Sequence, residues 1–282
     1  MISLNANLLK PTLGKNDYSS IRKTVRQAQK ALIEKTCPGR EMLGWMDLPV
    51  RASDAELDEI LSRAQSMQQT APYLVLVGIG GSYLGSRAAL EFLQPEWHTD
   101  STLPRILYFG HHMSSDYAAG LLRFLQDKDY GICVISKSGS TTETAVAFRL
   151  LRQQMAEKYS PLEMKRRITI ITEKKPSSLR QLCDYEKYPN LIHPDDVGGR
   201  FSVLSAVGLL PMAVRGIDIR ELLAGAQAVR QQCLQEQDLF ANLALFYAAS
   251  RYLLYKKGKK IEVLSAFESS FPFMAEWWKQ LF

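Results

Sequence analysis

Four short apolar runs constrain this chain more than anything else in it: "YLVLVG" at 73–78, "RILYFG" at 105–110, "GICVIS" at 131–136 and "RITIIT" at 167–172. None alternates polar with apolar residues, so neither face of these strands is suited to water. Strands buried on both faces belong to parallel sheets covered by helices. Amphipathic stretches of helical period lie between the runs, near 85–94, 115–126 and 142–158, and "NLIH" at 190–193 offers a fifth strand. Repeated strand–helix units of this length predict a doubly wound α/β domain. With 282 residues, 46% of them hydrophobic, the chain can cover such a sheet on both sides.

The flanks read as helical. Residues 18–35 and 54–68 carry apolar positions at helical spacing, and Ser53 or Asp54 is placed to cap the second of these helices. Beyond 216 the pattern predicts helices at 218–236 and 238–256, then one more strand at "IEVLSAF", 261–267. This divides the chain into an N-terminal helical segment (1–70), a central domain (71–215) and the beginning of a further domain (216–282).

Charge adds little. The 35 basic and 29 acidic residues, net +6, are interspersed, and the densest basic cluster, "YKKGKK" at 255–260, reads as a solvated turn around a glycine rather than a nucleic-acid contact. Cys37, Cys133, Cys183 and Cys233 lie far apart with no zinc-type spacing, which fits a reducing compartment better than a disulfide framework. The N-terminus lacks a signal-peptide pattern, and the most apolar stretch, 201–214, is too short for a bilayer span and contains Pro211. A soluble, cytoplasmic chain is expected, with no membrane or nucleic-acid partner.

In doubly wound sheets ligands sit at the carboxyl ends of the strands, which directs attention to the loops that follow the apolar runs. The first is "GIGGSYLGSR", 78–87. Tyr83 stands where a dinucleotide fingerprint needs its third glycine, and Ser86-Arg87 stand where a P-loop needs lysine and a hydroxyl. What remains is a tight turn in which Gly80 and Gly81 permit close backbone approach beside the Ser82 hydroxyl, as compatible with a structural turn as with a site. The second loop, "SKSGSTTET" at 136–144, packs six hydroxyl residues into nine positions. Ser140 and Glu143 have capping-box spacing, so a helix is expected to begin here and to point free amides at an anion. Ser136, Ser138 and Thr141 can donate to phosphate oxygens, while Lys137 either adds charge or snorkels. The third loop, "DVGGRFSVLSAVGLLP" at 196–211, places Arg200 before an apolar helix, either as an ion-pair partner or as a fixed cation facing the same crevice.

Together, in this order and at these separations, the three loops resemble the phosphoglucose isomerase family in its bacterial form, and the final "EWWKQLF" is similar to it too. The resemblance spans essentially the whole chain. It implies a flavodoxin-like sugar-isomerase (SIS) domain followed by the helical start of an incomplete second SIS domain. The reaction it implies is the aldose–ketose interconversion of glucose 6-phosphate and fructose 6-phosphate through a cis-enediol, in glycolysis and gluconeogenesis. It assigns Ser82, Ser136, Lys137, Ser138 and Thr141 to the substrate phosphate, Arg200 to charge stabilisation on the enediolate, and Gly81 and Gln280 to substrate contact. No cofactor and no metal are implied, and the full-length protein is expected to be a homodimer.

The sequence departs from the family in one respect. The family's proton-transferring glutamate lies four residues beyond that glutamine, and this chain stops two residues beyond Gln280; the family's later histidine and lysine are likewise not found. Glu276 precedes Trp277-Trp278 and does not match the base, and His111, His112 and His193 carry no family role. The last twelve residues read as a helix ending without a stop signal. The expectation is an inactive fragment with its phosphate site intact. A non-catalytic SIS module that senses sugar phosphates is the alternative.

Overall fold

Five parallel strands, β1 (Tyr73–Val77), β2 (Arg105–Phe109), β3 (Tyr130–Ile135), β4 (Ile168–Thr172) and β5 (Asn190–Ile192), form one sheet in the order β2-β1-β3-β4-β5. The computed structural model describes residues 3–94 and 102–282. Val75 lies opposite Leu107 on one side and Ile132 on the other, and Val134 lies opposite Ile170. This is the flavodoxin-like order, and all five strands fall where the apolar runs predict.

The helices, in chain order, are α1 (Lys15–Ile33), α2 (Leu48–Arg51), α3 (Asp54–Thr70), α4 (Leu84–Leu93), α5 (Ser115–Leu125), α6 (Thr142–Lys158), α7 (Pro161–Arg167), α8 (Ser178–Glu186), α9 (Ala206–Val214), α10 (Ile219–Gln235), α11 (Leu243–Lys256) and α12 (Pro272–Leu281). Because strand side chains alternate between faces, each central strand serves two cores. Leu74, Leu76, Cys133, Ile135 and Ile171 pack with α3 and α9, whereas Val75, Val77, Ile132, Val134 and Ile170 pack with α6 to α8. The missing polar alternation in the sequence is this double burial. A third cluster joins α1 to α11 around Tyr18, whose hydroxyl lies 2.9 Å from Ser250 Oγ.

Local signals account for several helix ends. Ser53, not Asp54, caps α3: its hydroxyl accepts from Glu56 N, while Glu56 Oε2 accepts from Ser53 N at 2.9 Å. Ser160 and Glu163 repeat the arrangement at α7. The capping box expected from Ser140 and Glu143 does not form. Thr141 is the residue before α6 and makes no side-chain cap, while the Ser140 amide and hydroxyl both bond Ser138 Oγ, at 3.3 and 3.1 Å, inside the loop.

The expected strand at 261–267 is also corrected. These residues form no strand; Ile261, Val263 and Phe267 are exposed, and the described residues offer them no neighbouring strand edge. A single strand cannot satisfy its own backbone groups. Residues 216–282 supply α10, α11 and α12, and α12 returns to pack on α4. No helix among the described residues is long and apolar enough to cross a membrane.

Candidate functional site

The sheet order reverses direction between β1 and β3, and the two loops singled out by sequence leave those strands side by side. A Cβ built on Gly78 would lie 3.2 Å from the Ile135 carbonyl oxygen. This is the switch-point crevice where doubly wound sheets bind ligands.

The glycine-rich loop is shaped by what presses on it. Gly80 has φ +58°, in the left-handed region, and a side chain there would meet Gln280 Nε2 at 2.9 Å. A Cβ on Gly81 would overlap the Gly199 backbone and come within 2.5 Å of the Arg200 amide nitrogen. The glycines thus let the third loop lie directly on the first. Trp277 of α12 donates its indole N–H to the Arg200 carbonyl at 3.0 Å, fixing that backbone from the other side. The Arg200 side chain is exposed and makes no ion pair among the described residues, so its charge remains available. Ser82 is half-buried and its hydroxyl has no protein partner among the described residues. Gln280 is half-buried with Oε1 sequestered from water and lacking any hydrogen-bond partner among the described residues. An amide oxygen in that state favours a ligand that brings a donor.

The hydroxyl loop is internally braced. Ser136, 3% exposed, accepts from Gly139 N at 3.1 Å and donates to Thr141 Oγ1 at 3.4 Å. Ser138, which is exposed, accepts through Oγ from Ser140 N at 3.3 Å. Lys137 points elsewhere. Its ammonium donates to the carbonyls of Asp195 (2.8 Å) and Val197 (3.0 Å) and lies 3.5 Å from Glu173. The structure therefore brings Gly81, Ser82, Arg200 and Gln280 together, sets Ser136, Ser138 and Thr141 on the adjoining loop, and uses the Lys137 charge to tie that loop to the turn leading into Gly198-Gly199.

A histidine pair went unassigned by sequence reasoning. After β2, His111 and His112 have ring centroids 4.2 Å apart, and His111 lies 5.2 Å from the Tyr83 ring at the end of the glycine loop. Burial, with the charges of His112 and Arg87, holds the His111 imidazole down at about 4, so it is neutral. Reading the loop after β2 as closely as those after β1 and β3 would have flagged the pair. His193, 1% exposed, is also pushed down by burial and hydrogen-bonds the Pro194 carbonyl through Nδ1 at 2.9 Å, a packing role. Glu276 is exposed and paired with Lys279 at 2.6 Å.

The phosphoglucose isomerase family model matches residues 64–281, which takes in all three loops and α12. The chain belongs to the phosphoglucose isomerase family. Among curated members, proteins named glucose-6-phosphate isomerase from Staphylococcus epidermidis (strain ATCC 12228 / FDA PCI 1200) and Staphylococcus aureus (strain Newman) are 44% and 43% identical over 95% of this chain. The chain spans 60% of the length of each of these relatives. A crystal structure of a hypothetical protein from Thermus thermophilus superposes with a TM-score of 0.85 at 29% identity, covering 100% of this chain and 64% of that one. The family assignment and the switch-point geometry thus rest on separate observations.

Proposed function

We propose that the protein is a cytoplasmic glucose-6-phosphate isomerase of glycolysis and gluconeogenesis, working without cofactor as a homodimer, and that these 282 residues hold its phosphate cradle and its charge-stabilising arginine. One observation carries the reading: the loop after β1 is pressed against the Arg200 backbone and Gln280, beside a hydroxyl-rich loop after β3, at the switch point of the sheet. Ser82 and the hydroxyls and amides of 136–141 suit a phosphate monoester at the amino end of α6. Gln280 Oε1 accepts a sugar hydroxyl.

The chemistry asked of the remainder is a proton transfer. Removing the C2 proton of the open-chain aldose leaves an enediolate, and returning a proton to C1 gives the ketose. Negative charge develops on oxygen in between, and Arg200, unpaired among the described residues, is suited to stabilise it there. Arginine cannot accept the carbon-bound proton. Glu276 and Glu173 are each held by a lysine, and we assign the base to neither. The 282-residue polypeptide alone is therefore expected to bind substrate without converting it.

Calorimetry with fructose 6-phosphate, run beside a coupled assay for glucose 6-phosphate, tests both halves. The wild-type chain is expected to release heat on binding and to form no product. Ser138→Ala combined with Thr141→Ala should lose most of that heat. Equal heats for the two proteins would remove the phosphate assignment, and product formation abolished by a substitution within the chain would place the base among these residues.

A further inference from the structure

Behind the hydroxyl loop lies a cavity of about 610 Å3, walled by α6, α7 and α8. Its size falls within the range of pockets that enclose small molecules, roughly 300–1,000 Å3. The lining is mainly apolar, with Phe148, Met164 and Leu179 buried and Leu182 half-buried. Its lining includes none of Gly81, Ser82, Arg200 or Gln280, and of the loops described above only the hydroxyl loop contributes to it.

Two polar groups in this wall are not explained by packing. Thr144 is 3% exposed, yet its Oγ1 is buried without a hydrogen-bond partner among the described residues. A buried hydroxyl left so is disfavoured unless something fills the space beside it. Arg149 lines the same cavity, is exposed, and makes no ion pair or hydrogen bond among the described residues. Its neighbour Arg152 differs, being tied to Glu186 and, at 3.2 Å, to the Tyr188 hydroxyl. One guanidinium is therefore consumed by the fold and one is left with its fork of donors open, a geometry suited to a carboxylate.

We propose that this cavity is a second ligand site, for a small amphipathic carboxylate: the apolar body fills the space among Phe148, Met164 and Leu182, the carboxylate pairs with Arg149, and the Thr144 hydroxyl bonds a polar atom of the body. A phosphate dianion is a poor occupant, since the walls are apolar and supply one free cation among the described residues. The site stands independently of the isomerase reading, although Ser136, Gly139 and Thr141 form its wall toward the hydroxyl loop.

Indole-3-acetate, titrated into the isotope-labelled 282-residue chain and followed by NMR, is the test. Saturable shifts are expected at Thr144, Phe148 and Leu182. Arg149→Gln should weaken binding about tenfold, the loss of one charge-assisted contact, while neutral 3-methylindole should bind wild type and Arg149→Gln alike. Leu182→Trp, which fills the cavity, should abolish the shifts at an unchanged unfolding temperature; if that variant does not fold, Gln153→Trp on the exposed wall closes the same space. Absence of saturable shifts, equal affinity of Arg149→Gln for the acid, or displacement by inorganic phosphate would each overturn the proposal, the last because it puts the anion in the hydroxyl loop instead.

Discussion

At the scale of the residue, Lys137 shows how far a side chain's chemistry depends on its neighbours. A lysine amid six hydroxyl residues reads as a phosphate ligand, yet its ammonium closes on the Asp195 and Val197 carbonyls with Glu173 beside it. Lys137→Met leaves those carbonyls unsatisfied and should destabilise the chain by about 1–3 kcal/mol, read as a lower urea midpoint, with faster amide exchange around Val197. A variant that unfolds like wild type but loses all heat with fructose 6-phosphate would show the ammonium serving the ligand instead. His111 yields a pH prediction. Its folded value of about 4 lies below the ordinary 6.5, so between those limits the unfolded chain binds the extra proton. Stability contributed by the neutral ring is complete above about pH 6.5 and declines as pH falls toward about 4, and His193, also held down by burial, acts in the same direction. His111→Gln should flatten part of that decline, and NMR titration of the His111 ring should find its midpoint below about 5; a midpoint near the ordinary histidine value contradicts the burial argument.

At the scale of the element, the strands were legible because double burial leaves no room for polar residues, and α3 was legible because Ser53 and Glu56 have no better partners than each other's backbone. Ser53→Ala should cost about 1 kcal/mol, measured by chemical denaturation, and Ser53→Asp should restore most of it. No loss in Ser53→Ala would mean that α3 is held by its packed face, Leu57, Ile60, Ala64 and Met67, alone. The start of α6 departs from its sequence signal for a physical reason. Capping-box spacing is present at Ser140 and Glu143, but the Ser140 amide that Glu143 would have to bind donates to Ser138 Oγ instead, and Ser140 Oγ bonds the same hydroxyl. The run at 261–267 has strand composition, but strand formation requires a partner edge and the described residues provide none there.

At the scale of the molecule, that run leaves Ile261, Val263 and Phe267 at 87%, 78% and 106% exposure, a connected apolar stretch in water. Such surfaces drive association. Sedimentation of the 282-residue chain should show concentration-dependent self-association, reduced by Ile261→Lys with Phe267→Lys; a monomer across the micromolar range would mean the stretch folds back onto the chain in solution. The apolar runs by themselves determined a parallel sheet and its two helical layers, since only burial on both faces explains strands without polar positions. Loop composition pointed to the carboxyl ends of β1 and β3 as the place to look for a ligand, and the anion proposed there is the reading that calorimetry tests. What the sequence left open, the tertiary structure decided: the Ser53 rather than Asp54 cap, the direction of Lys137, the freedom of Arg200 from any carboxylate among the described residues, and the arrival of Gln280 at Gly80 from the far end of the chain. Each of these depends on which distant backbone comes within hydrogen-bond reach, a fact of three-dimensional packing that no local pattern of residue types encodes.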